Sequence, residues 1–203
     1  MSEEVALFND DEIDYFKELL NIGHGHSAAI MAELLDEFVT LSVPEIAFCN
    51  KDDFEKIFMD ITRNNHYITV QGFWGSVTGE TLLVMDNNSM GGLRKIFDED
   101  EVEDDDIVLE LMNIMNATLI SRLAMELSTE VSFDIPRFQI KENLKIFTKS
   151  ADKKYQQAII LRTLLQFKDI GVDIEMIVFM HDEAIQWIRN VIKTKINELL
   201  EWS

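Results

Sequence analysis

The sequence predicts an α+β fold: one domain spanning residues 1–203, built from two similar halves that share a β-sheet with long helices packed against it. Three observations carry that expectation. A four-residue pattern occurs twice at a constant separation of 92 positions, as Asp14, Glu18, Asn21 and Pro44 and again as Asp106, Glu110, Asn113 and Pro136. Helix-like and strand-like periodicities follow one another in the same order on either side of an acidic linker around residues 98–106. The composition, 47% apolar and 28% charged over 203 residues, is that of a chain with a real core. A fixed long period marks a duplicated unit; the repeats run from about 10 to 98 and from about 104 to 203.

The first half opens with a helix over Asp10–Asp36, where Ile13, Phe16, Leu19, Leu20, Ile30, Met31 and Leu34 follow helical spacing and aspartates lie at the positive end of the dipole. Phe38–Val43 reads as a strand leading into Pro44, with Ile46–Phe48 continuing extended. A short helix is expected over Asp52–Phe58. Two strands, His66–Trp74 and Thr81–Met85, flank a turn at Gly75–Gly79, and a short helix follows over Ser89–Phe97. The second half repeats the order: a helix from about Asp105 to Leu127, a strand Val131–Ile135 before Pro136, a hairpin of Gln156–Gln166 and Val172–Phe179, and a closing helix from Asp182 to about Leu200. Gly79 and Gly171 are also 92 apart, so the register is expected to survive into the second hairpin.

The formal net charge of −20 disfavours nucleic acid and anionic membranes and favours a partner that offers positive charge. The runs Asp98–Glu101 and Asp104–Asp106 read as a solvated linker and helix start. No apolar stretch approaches about 18 uncharged residues, and Met1–Glu4 does not resemble a signal peptide, so a cytoplasmic location is expected. A single cysteine, Cys49, excludes an internal disulfide and a multi-cysteine metal site.

The repeated polar residues carry the chemistry. Side chains three apart on a helix are neighbours, so Glu18 and Asn21 project together, as do Glu110 and Asn113. His24 and Asn116, again 92 apart, extend the same stripe, which is expected to be exposed, with Leu19, Leu20, Ile22, Leu109, Met112 and Ile114 facing the core. A carboxylate can pair with a cation on a partner, and a carboxamide can hold a water in one orientation. Neither is a strong nucleophile, and an exposed glutamate is a poor base near neutrality. Such a pair can still accelerate in-line attack of water on a phosphoryl group, where positioning supplies most of the catalysis. One E-x-x-N on an amphipathic helix is ordinarily a solvated face; two in register are not readily accidental.

The D-x3-E-x2-N-x22-P pattern, twice present, resembles the signature of the CheC-type phosphatases of chemotaxis, the CheC/CheX/FliY family. Glu18-Leu-Leu-Asn21-Ile-Gly-His-Gly-His26-Ser-Ala-Ala29 is similar to that family's E-x-x-N-I-G-x-G-N-A-A segment, and Leu41-Ser42-Val43-Pro44 also fits. The likeness spans both halves, and two copies suit the CheC subgroup. It implies hydrolysis of the aspartyl phosphate of a CheY-like response regulator. Glu18 and Glu110 would bind a regulator lysine, and Asn21 and Asn113 would orient the hydrolytic water. Asp14 and Asp106 would be supporting helix-start residues, with His24 and Asn116 beside the site and Pro44 and Pro136 structural. The regulator would bring its own Mg²⁺, so no cofactor or metal is expected on this chain, and CheD is a possible second partner. The alternative is an adaptor that binds a receiver or CheD without hydrolysis. One departure is His26, where the family has asparagine; His24 and His26, at i and i+2, point to different sides of the helix and are not expected to bind metal. The second half lacks the Gly-x-Gly, having Met115-Asn116-Ala117.

Overall fold

In the computed structural model, residues 8–50, 56, 59–60, 67–97, 103–138 and 157–201 are described. The expected helix over Asp52–Phe58 lies almost entirely outside them. The chain begins with α1 (Asp10–Leu35). Asn9 accepts a hydrogen bond from the Glu12 amide at 2.8 Å, and Glu12 accepts one from the Asn9 amide at 3.0 Å, a reciprocal cap on two otherwise orphaned donors. The helix stops at Asp36, which takes the left-handed conformation (φ 51°) that short polar side chains tolerate. Next come β1 (Val39–Leu41), β2 (Glu45–Asn50), the hairpin β3 (Tyr67–Gly75) and β4 (Gly79–Met85), and α2 (Asn87–Phe97).

The second half begins with α3, a continuous helix over Asp104–Glu126 whose residues Asn116–Ile120 form a π segment between two α-helical stretches. Then follow β5 (Val131–Phe133), β6 (Arg137–Phe138), the hairpin β7 (Gln157–Phe167) and β8 (Val172–Met180), and α4 (Asp182–Glu201). Helix α3 is long and apolar enough to cross a membrane by length and composition alone, but it is mostly buried inside the fold. It opens on Asp104, Asp105 and Asp106 and buries Ile107, Val108, Leu111, Met112 and Met115.

Among the described residues, eight strands form one antiparallel sheet in the order β1-β7-β8-β4-β3-β5, with β2 also on β7 and β6 also on β3. The halves therefore meet at β4 and β8, and each lends its lead strands to the hairpin of the other. The pairing repeats residue for residue. Leu41 faces Leu165 as Phe133 faces Phe73, and Glu45 faces Arg162 as Arg137 faces Val70. Corresponding members of these pairs are 92 apart.

Between those pairs the lead strand advances four residues while its neighbour advances three, which is a β-bulge in each half. Ser42 and Asp134 donate their amides across it to the carbonyls of Leu164 and Gly72, both at 2.9 Å. Pro44 and Pro136 sit in the bulges. A bulge on an edge strand is where a residue without an N–H costs no ladder hydrogen bond, which accounts for the only two prolines of the chain.

The constant offset fails at the second hairpin, contrary to the expectation from Gly79 and Gly171. Phe73 faces Gly79, but the equivalent Leu165 faces Ile174, so the offset becomes 95 and stays so into α2 and α4, which start at Asn87 and Asp182. The two glycines accordingly do different work. Gly79 lies in a strand where a Cβ would stand 2.6 Å from the Phe73 ring and closer still to the Phe179 carbonyl. Gly171 turns the second hairpin at φ +67° with open space around it.

Helices cover one face of the sheet. Alternate residues of the four long strands, among them Phe73, Leu83, Met85, Ile159, Leu161, Leu165, Phe167, Ile174 and Met176, pack with Phe16, Leu20, Met31, Leu111, Met112 and Met115 from the helices. A second buried apolar set, Ile68, Val70, Leu82, Val84, Ile160, Ile177 and Phe179, occupies the intervening positions. Two ion pairs tie helix starts to the flanking helices. Glu12 accepts from Arg189 of α4 at 3.1 Å, and Asp104 accepts from Arg94 of α2 through Nε and Nη2, both at 2.8 Å. Glu12 and Asp104 are 92 apart and Arg94 and Arg189 are 95 apart, as the shifted register requires.

Candidate functional site

Helices α1 and α3 pack antiparallel. The Ser27 hydroxyl donates to the Thr118 carbonyl at 2.9 Å, and a Cβ on the buried Gly23 would lie 3.6 Å from the Arg122 side chain. This pair packs over the sheet and carries Asp14, Glu18 and Asn21, with Asp106, Glu110 and Asn113, on its outward side. Glu18, Asn21, Glu110 and Asn113 are all exposed. Each carboxylate therefore has its carboxamide one helical turn along, at a Cβ separation of about 5–6 Å.

The stripe does not stay exposed. Asn116 is fully buried and His24 is partly buried. Each step of three residues turns about 60° around an α-helix, so two steps carry the third residue about 120° from the first, down toward the sheet. The same geometry exposes Ile22, which was expected in the core and is 46% exposed beside Asn21. Ile114 and Leu109 are half-buried. Asp14 is also placed differently from expectation: Asn9 and Glu12 make the helix start, and Asp14 lies a turn further in, exposed and paired with Lys17 at 3.3 Å. Asp106 does sit in the first turn of α3. Pro44 is buried and Pro136 half-buried, both away from the outer face of the helices.

Beneath each Glu–Asn set lies a polar residue of the sheet that the motif does not contain. His24 Nδ1 contacts the Leu20 carbonyl at 2.7 Å, and its Nε2 contacts Thr163 Oγ1 of β7 at 2.8 Å. A carbonyl can only accept, so Nδ1 carries the proton and Nε2 accepts from the threonine hydroxyl. Burial pushes the His24 pKa below its ordinary value, outweighing the bond to Leu20, which favours the charged form. Leu19, Leu20, Leu123 and Leu161 close around this pair, leaving a gap of about 20 Å³, room for a water and for no organic ligand.

In the other half, Gln71 of β3 takes the place of Thr163, again 92 positions away. Its Nε2 donates to the Asp134 carbonyl at 2.8 Å and to Asn113 Oδ1 at 3.2 Å, and its Oε1 accepts from Asn116 Nδ2. Reading the repeat for helix residues alone misses Gln71 and Thr163. The available signal was a polar residue at the same repeat position in two strands.

The chemistry on offer is narrow. Among the described residues no three of His, Cys, Asp and Glu converge as a metal site. His26 is exposed, on a different side of α1 from His24. The two Glu–Asn sets present acceptors for a cation and amides for a water on convex helix surfaces, a form suited to entering another molecule's cleft.

No family model and no curated protein matches the sequence. The fold does match solved structures. FliY of Thermotoga maritima is 14% identical and aligns over 93% of this chain and 98% of its own, with a TM-score of 0.62. FliM from H. pylori, in a FliM–SpeE complex, is 10% identical over 92% and 97% of the two chains, with a TM-score of 0.66. The chemotaxis protein CheX of Desulfovibrio desulfuricans is 7% identical over 81% and 99%, with a TM-score of 0.53. The chain thus has the α+β fold common to FliY, the FliM middle domain and CheX, and the likeness to the CheC/CheX/FliY family read from the sequence extends to its three-dimensional architecture.

Proposed function

We propose that this protein is a phosphatase of a CheY-like response regulator. Glu18 and Glu110 each pair with a lysine of the docked receiver, and Asn21 and Asn113 enter its active site and hold water in line with the aspartyl phosphate. The receiver supplies the phosphoaspartate and the Mg²⁺ that neutralises developing charge, so positioning is the main task left to this chain. The observation that carries the reading is the pair of exposed Glu–Asn sets, one on each of the two long helices, at equivalent positions of the repeat. The gap beside His24 is too small for a substrate.

Mixing the protein with a phosphorylated CheY-like receiver and following phosphate release tests the reading. The parent is expected to outpace spontaneous decay, and Asn21→Ala/Asn113→Ala to lose nearly all of that acceleration. A double variant as active as the parent rules out the amide mechanism. Glu18→Lys/Glu110→Lys is expected to weaken docking by repelling the receiver's lysine, a change read as affinity rather than turnover.

A second reading, a non-catalytic adaptor for a receiver or CheD, draws support from the likeness to FliM, seen in complexes with FliG and with SpeE in H. pylori. It is distinguished by receiver binding without faster phosphate loss.

A further inference from the structure

The geometry points to Gln71 as a positioning residue that holds Asn113 turned inward, so that the first site, at Asn21, is the faster of the two. This rests on the phosphatase reading for its consequence, but the restraint itself is a property of the free protein. The Asp134 carbonyl is the fixed point, because it can only accept. It obliges Gln71 to present Nε2 to it and Oε1 to Asn116, whose Nδ2 donates in return. Reversing either amide would set oxygen against oxygen. The second N–H of Gln71 then reaches Asn113 Oδ1 at 3.2 Å, which turns that oxygen toward the sheet and leaves Nδ2 outward. Gln71 is itself buried, 3% exposed, and its site in the bulge is set by the backbone. Among the described residues Asn116 Oδ1 is buried without a hydrogen-bond partner.

Among the described residues the first half has no such restraint. Thr163 replaces Gln71, and its single hydroxyl proton goes to His24. The side chain of Asn21 is exposed and makes no hydrogen bond with the described residues. The difference bears on the chemistry because a water attacking phosphorus must keep a lone pair forward. Its O–H groups must then be held by acceptors, and on an asparagine the acceptor is Oδ1. Asn21 can offer that oxygen at once, whereas Asn113 must first leave Gln71 and turn over.

Two measurements test this. In the free protein, side-chain coupling constants by NMR are expected to show one χ1 rotamer for Asn113 and rotamer averaging for Asn21, with Gln71→Met making Asn113 averaged as well. An averaged Asn113 in the parent overturns the proposal whatever the protein's activity. In the phosphate-release assay, Asn113→Ala (first site alone) is expected to be about fivefold faster than Asn21→Ala (second site alone), the effect of one neutral hydrogen bond. Adding Gln71→Met should raise the rate of Asn21→Ala about fivefold, the same bond removed, and leave Asn113→Ala unchanged. Slower turnover on that addition, or a second site as fast as the first, overturns it. Gln71→Thr, the residue of the other half, serves equally should the methionine variant not fold. A parent without any phosphatase effect refutes the functional reading and the ranking of the sites, while the coupling constants still decide whether Gln71 holds Asn113.

Discussion

The two helix-anchoring ion pairs occupy equivalent places in the repeat yet differ in burial, and that difference predicts unequal costs of breaking them. Glu12 is 1% exposed and accepts from the Asn9 amide at 3.0 Å and Arg189 Nε at 3.1 Å, with Lys193 3.7 Å away. Removing one member of a buried pair leaves an uncompensated charge and costs about 3–5 kcal/mol. Three features reduce that figure for Arg189→Met: the arginine side chain is 28% exposed, Lys193 remains, and the Asn9 amide still donates. A loss of about 2 kcal/mol is expected, with methionine retaining the packing of the arginine stem. The counterpart Arg94 is 57% exposed, and Asp104 keeps the Tyr67 hydroxyl at 2.7 Å after its removal. Arg94→Met should therefore cost about 0.5–1 kcal/mol, the range of exposed pairs. Urea unfolding followed by circular dichroism reads both variants; with a slope of about 2 kcal/mol/M, the midpoints should fall by roughly 1 M and 0.4 M. Equal losses, or a greater loss at Arg94, would refute the claim that burial of the carboxylate sets the scale.

Further outcomes follow from the glycines and from His24. Gly79→Ala drives a methyl into the Phe179 carbonyl and the Phe73 ring and should cost at least about 3 kcal/mol in the same unfolding assay. Gly171→Ala, strained only by its positive φ, should cost about 1–2 kcal/mol. Gly25→Ala, on the exposed side of α1 with nothing within 4 Å, should raise stability by roughly 0.5–1 kcal/mol through helix propensity. His24 is held as the neutral imidazole with a lowered pKa, so the unfolded chain takes up its proton first as pH falls. The stability from this residue is complete above the unfolded value of about 6.5 and declines as pH drops through the window below it. His24→Asn removes that dependence, so the loss of stability between about pH 7.5 and 5.5 should be smaller in the variant than in the parent.

The 92-residue period, read without coordinates, determined a good deal here: the duplicated α+β order, the long helices, the proline positions and the exposure of both Glu–Asn sets. These are legible because a helix exposes neighbours three apart to the same surroundings, and because a proline shows where a strand gives up a hydrogen bond. Three things were decided only by the tertiary structure. The lead strands cross to the opposite hairpin, since strand pairing joins residues far apart in sequence, such as Leu41 and Leu165. The repeat slips by three at the second hairpin, where Leu165 meets Ile174, because turn geometry sets which residues face each other. The partner of each third polar residue also needed the fold. Asn116 and His24 look alike as helix positions, yet one meets an amide and the other a hydroxyl across the helix–sheet interface, and only the fold brings those side chains together.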